Sequence, residues 1–164
     1  MTLQLRHHDV KSPAQDRDFV IARPNLHPGR KIAVADFLRA ADFCPANCEV
    51  VVDYAPVISI ENMRGAKLLV CPSTEATASH SRDGVDVRDV EIQIAFLKQA
   101  RPSDVPKLLM ESANISRGLE YSKTIGIANV TPGAADRVLL YDPAMLREKG
   151  MFFSVITYAL EVTE

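Results

Sequence analysis

VRDVEIQIAFLKQ, residues 87–99, is the stretch that decides the fold. Val90, Ile92, Ile94 and Phe96 fall on one side of a two-residue period, and Asp89, Glu91, Gln93 and Ala95 fall on the other. Only a β-strand places alternate residues on opposite faces, so this segment reads as a strand with one face in a core and one face wet.

Upstream, CEVVVDYAPVIS (48–59) is rich in β-branched residues, with Pro56 confining its far end to an edge or a bulge. IENMRG is a polar connection through Gly65, and AKLLVCPST (66–74) is a second strand; together the two predict a hairpin. Glu75 to Asp86 is small and polar, carries an Asp83-Gly84 turn signal, and reads as a flexible loop.

Downstream, ARPSDVPKLLMESANISRGLEY (100–121) is the clearest helix. Ser103 is its candidate N-cap, Pro106 is tolerated in the first turn, and Val105, Leu108, Leu109, Ser112, Ile115 or Ser116, and Leu119 form one stripe. KTIGIANVTPGAADRVLLYD supplies two short β segments separated by a Pro132-Gly133 turn, and PAMLREKG makes a helical turn or a loop. In the closing MFFSVITYALEV, Phe152, Ser154, Ile156, Tyr158, Leu160 and Val162 share the face expected against the core.

An amphipathic helix is expected in KIAVADFLRAADF, on Val34, Phe37, Leu38 and Ala41, stopped by Pro45 in CPANC. Residues 1–30 are polar and proline-punctuated and read as an extended N-terminal arm, with DFVIA (18–22) as one short strand. Residues 31–164 then form a single domain. Strands in runs with helices set apart predict an α+β fold, a mainly antiparallel sheet of about four to five strands packed with two main helices.

The chain has 164 residues, 47% of them hydrophobic and 24% charged, which supports one real core and is wrong for disorder. A formal charge of −2 gives no global attraction to nucleic acid or to an anionic membrane. No apolar run approaches the roughly 20 residues needed to span a bilayer, and MTLQLRHHDVKSPAQDRDF lacks a signal-peptide core. Three cysteines, an odd count, suit a reducing compartment better than a disulfide framework.

Cys44 and Cys48 flank a proline turn, and His27 or Cys71 would be needed to complete a tetrahedral zinc site. The C-x3-C spacing has no second compact pair, so free thiols are the expectation, and no metal is expected. His7, His8 and His80 read as solvated. Asp83, Asp86, Asp89 and Glu91 resemble a carboxylate set for a hard cation, but charge on the wet face of a strand ordinarily blunts edge pairing. No G-x-S-x-G elbow, P-loop or G-x-G-x-x-G fingerprint occurs, so neither catalysis nor a cofactor is expected. The basic residues Arg64, Lys67, Arg82, Arg88, Arg101, Lys107, Arg147 and Lys149 are dispersed and not interleaved with aromatics, unlike a nucleic-acid groove.

The order of several features carries a resemblance. Tyr54-Ala55-Pro56 ends a strand, Ile60 to Lys67 forms a linker, Leu68 to Pro72 a strand, Ser79 to Arg82 a Ser/Arg-rich loop, and Asp89 to Phe96 an alternating strand. A helix follows at Val105 to Leu119, and Tyr141 to Leu160 carries a Y-x-P-x-x-L step leading to F-x-S-V. Over residues 49–162, about two-thirds of the chain, this resembles the tail-terminator and tail-completion proteins of long-tailed bacteriophages and prophages.

The resemblance implies a terminator-like α+β fold and a non-enzymatic virion protein at the tail–neck junction, made in the host bacterial cytoplasm. It implies a hexameric ring that caps the tail tube and joins it to the head–tail connector, with a sheath as a further partner in a contractile tail. Membrane and specific nucleic-acid binding are not implied, although DNA would pass through the ring. A head-closure, connector or minor tail protein remains an alternative, as does a small ligand-binding domain or enzyme. Candidate contact residues are Ser79, Arg82, Asp83 and Arg88 in the polar loop region, and Asp142, Arg147, Glu148 and Lys149 before the last strand. Family members begin almost directly with the first helix, so the thirty-residue arm is a departure from the pattern.

Overall fold

A computed structural model describes residues 28–52, 63–80 and 84–163. The expected DFVIA strand and most of the N-terminal arm lie outside them. The elements run α1 (Pro28–Ala40), β1 (Cys48–Val52), β2 (Ala66–His80), β3 (Asp86–Gln99), α2 (Val105–Glu120), β4 (Val130–Leu139), α3 (Pro143–Lys149) and β5 (Met151–Thr163). Five strands form one sheet in the order β1-β2-β3-β5-β4. The fold is α+β, with a mixed sheet and three helices among the described residues.

The alternation in residues 87–99 does what its period requires. Val90, Ile92, Ile94 and Phe96 are all buried on the face that α1 and α2 cover. Their neighbours on β5, Phe152, Ile156, Tyr158, Leu160 and Val162, are buried with them, because the antiparallel register sets Ile94 opposite Ile156 and Ile92 opposite Tyr158. Phe96 and Phe152 meet edge to face, with ring centroids 5.8 Å apart. Full burial of side chains this large is worth about 1.5–3 kcal/mol each, so this central pair of strands anchors the core. α2 lays Leu108, Ile115 and Leu119 on the same face, and α1 adds Val34, Ala35 and Leu38.

A second, smaller apolar cluster lies on the opposite face at one end only. It consists of Met63, Leu69, Leu97 and Met151, with Met145 of α3 packed against it. Leu97 follows Ala95 on the side of β3 turned away from α1 and α2, so α3 converts one end of that face into a core.

Four expectations are corrected. β1 and β2 are not a hairpin: they pair in parallel, Cys48 with Ala66 through Val52 with Val70. Glu75 to Asp86 is not mainly a loop. β2 continues to His80 and β3 begins at Asp86, paired through two register shifts that re-aim the strand. Val130–Leu139 is a single strand in which Pro132-Gly133 makes a bulge, not two segments around a turn. Finally, Ser103 lies inside a 3-10 turn (Pro102–Asp104); Asp104 reaches back to accept the Arg101 N–H at 2.9 Å and precedes α2.

Candidate interaction surfaces

α3 is built by its own sequence. Asp142 accepts hydrogen bonds from the Ala144 and Met145 N–H groups at 2.8 and 3.1 Å, Pro143 opens the first turn, and Gly150 ends the helix at φ 61°. A left-handed C-terminal position suits glycine, and a carboxylate at the N-cap satisfies otherwise orphaned donors. Both ends are also tied to strands. The Asp142 N–H donates to the Phe153 carbonyl at 3.0 Å, and Ala100 N–H donates to the Gly150 carbonyl at 2.9 Å. Tyr141 stacks on Phe152 with the rings 7° from parallel. The turn that opens the Tyr141 to Leu160 signature is therefore one clamped unit that reverses the chain between two adjacent antiparallel strands.

Of the candidate residues on this unit, Arg147, Glu148 and Lys149 are exposed, while Asp142 is half-buried and occupied as a cap. Arg147 and Lys149 sit in the last turn, where a helix favours positive charge. At the hairpin, Ser79 pairs with Val87, and Arg88 is half-buried opposite Thr77 and Val162. Arg82 and Asp83 lie outside the described residues. The two candidate groups are not brought together: β3 and β5 run the length of the sheet between them, with Gln99 beside Met151 at the α3 end and Val87 beside Thr163 at the hairpin end.

The cysteines do not converge. Cys44 and Cys48 pack against the helix-covered core, whereas Cys71 packs against the cluster on the other face. Burial, and then Cys48, pushes the Cys44 thiol up to about 12. Burial likewise raises Cys48 to about 11, against a lowering influence from Lys98. Such thiols stay protonated at neutral pH, which disfavours metal ligation and nucleophilic attack.

Features that sequence reasoning missed lie at the edges of the sheet and on its open face. Arg39 from α1 donates to the Val50 carbonyl at 2.9 Å, which occupies the outer edge of β1. β4 is the opposite edge, where Val138 and Leu140 are 61% and 52% exposed. On the face away from α1 and α2, Asp89 stands directly across from Glu161. Beside them is a hollow of about 450 Å³, with Gly133 and Ala159 among its lining residues. The wet side of β3 was legible; its partner on β5 depends on register and was not.

No helix among the described residues is long and apolar enough to cross a membrane. Neither a family model nor a curated protein matches the chain. Among solved structures, it is similar to the sheath/tube terminator of an extracellular contractile injection system (PVC) in its extended state. That likeness has a TM-score of 0.45 at 11% identity and covers 81% of this chain. The chain spans about half, 54%, of that protein's length.

Proposed function

We propose that this protein is a structural component of the neck of a long-tailed phage or prophage particle, a tail terminator. Its ring of about six subunits would cap the tail tube and join it to the head connector. The role is non-enzymatic: one end of the ring meets the last tube subunits, and the other meets neck proteins. In a contractile tail the sheath would be a further partner.

The observation that carries this reading is the ordered signature, above all its ending. Tyr141 stacks on Phe152 and Pro143 opens α3 at the turn into β5, while Ser154, two residues on, ties β5 to α2 and β4 through its buried hydroxyl. Signature residues that share one mechanical task support the resemblance more strongly than spacing alone. The separation of the two candidate groups to opposite ends of the sheet also suits an adaptor with two partners.

Electron microscopy of particles assembled without the protein tests the role. Overlong tails that fail to join heads are expected; tails of normal length joined to heads would overturn it. Reversing the charge at Arg147 and Lys149 is expected to impair tail joining while the protein still folds, and normal assembly with both changes would remove α3 from the contact surface.

A further inference from the structure

The sheet has one face covered by α1 and α2, while on the other α3 covers one end only. The far part of that second face carries no helix among the described residues. Its strands bear Asp89, Glu91 and Glu161 there, around the hollow whose floor includes Gly133 and Ala159. A methyl group on Gly133 would lie 3.0 Å from the Ala159 carbonyl oxygen, so the glycine keeps this floor low.

Asp89 and Glu161 are direct cross-strand partners on β3 and β5, and Glu91 stands opposite Ala159, diagonal to Glu161. Like charges in directly opposed positions destabilise a sheet. Asp89 and Glu161 have no ion pair among the described residues, and Glu91 accepts only the Ser73 hydroxyl, at 3.0 Å. Folding alone gives no reason for this opposition.

The complementary charge lies on the same chain. Arg147 and Lys149 are exposed on α3, likewise without an ion pair among the described residues. They cannot reach the hollow of their own protomer. Ten residue steps along β5 separate Met151, next to α3, from Glu161, about 33 Å at about 3.3 Å per residue. Two complementary patches held at opposite ends of a rigid sheet join head to tail between copies, and such contacts close into rings when the rotation permits.

We propose that the part of this sheet face that carries no helix among the described residues is the docking site for a second copy of this chain, whose Arg147 and Lys149 enter the hollow beside Asp89, Glu91 and Glu161. The contact rests on the ring reading above and supplies its subunit interface. Small residues on the floor leave room for a long side chain to lie flat between the carboxylates.

The test is self-association of the full chain by analytical ultracentrifugation, under reducing conditions, at about 10 mM salt, where the screening length is about 30 Å. The wild type is expected to associate, and to dissociate as salt rises. Asp89→Lys with Glu161→Lys, or Arg147→Glu with Lys149→Glu, should each weaken association at least about tenfold, the range measured for close interfacial charge pairs. Mixing the two variants, or combining all four changes in one chain, should restore it. Asp89→Asn with Glu161→Gln should weaken association while raising the melting temperature, which a purely structural role would not produce. A wild type that stays monomeric at low salt, association indifferent to reversal, or failure of the combined variant to recover would each overturn the contact. The neck role would survive any of these, because tail length reads it separately.

Discussion

The hydroxyls of Ser112 on α2 and Ser154 on β5 lie 2.8 Å apart, both wholly inaccessible to solvent. Ser154 donates to the Leu139 carbonyl of β4 at 3.1 Å, so Ser112 is the donor in the shared bond. One relay thereby joins a helix and two strands inside the core. Replacing Ser154 with Ala strands the Ser112 hydroxyl and the Leu139 carbonyl, at a cost of about 1–3 kcal/mol. Ser112→Ala leaves the Ser154–Leu139 bond in place and should cost less. Chemical denaturation of both single variants and the double variant checks this, with a double-variant loss smaller than the sum expected.

Gly118 lies in α2 against the ring of Phe43, and a methyl group there would overlap the ring. On an open helix surface, Gly to Ala adds up to about 1 kcal/mol of stability. Here the ring must move, so Gly118→Ala should destabilise by about 1–3 kcal/mol. Adding Phe43→Ala should make the alanine at 118 favourable again, as read by the change in denaturation midpoint.

Among the described residues Tyr158 is the largest wholly buried side chain, and its hydroxyl has no protein hydrogen-bond partner there. Burial pushes that hydroxyl up to about 12. Tyr158→Phe removes an unmatched polar group and orphans no partner, so a gain of about 1 kcal/mol is expected. A clear loss of stability would mean that the hydroxyl has a partner after all.

Alkaline pH should unfold the protein sooner than neutral pH. Cys44 rises from an ordinary 9.0 to about 12 and Tyr158 from 10.0 to about 12, so both hold their protons more tightly when folded. Their contribution is complete below the unfolded value of about 9 and drains away as pH climbs through the folded values. Stability measured across pH 7 to 11 should therefore be level at first and then fall, and Cys44→Ala should flatten the fall. The same protonation predicts slow reaction of Cys44 with thiol reagents at pH 8.

Asp142 holds the start of α3, and Asp142→Ala should cost about 0.5–2 kcal/mol through loss of the cap. Reversal at Arg147 and Lys149 should cost less, because both are exposed and lose only a helix-end charge effect. Comparing the thermal melts of these variants separates the residue that builds the turn from those it presents.

Local pattern determined a good deal. The alternation of Val90, Ile92, Ile94 and Phe96, and that of Phe152, Ile156, Tyr158 and Leu160, identified two strands and their buried faces. The stripe Leu108, Ser112, Ile115 and Leu119 did the same for α2. These periods are properties of the backbone itself, so the residues alone reveal them. Arg147 and Lys149 stood out by charge alone, in a segment that reads as a helical turn or a loop.

Tertiary structure decided what no local period encodes. It made β1 and β2 parallel, because the direction of pairing depends on the path of the chain between them. It drew Glu75 to His80 into a strand, since pairing with β3 supplies hydrogen bonds that the small polar sequence does not advertise. It covered one end of the open sheet face with α3 and set Asp89 against Glu161, 72 residues apart in sequence. Register between distant strands is fixed by the packing of the whole core, and that register alone brings the two carboxylates together.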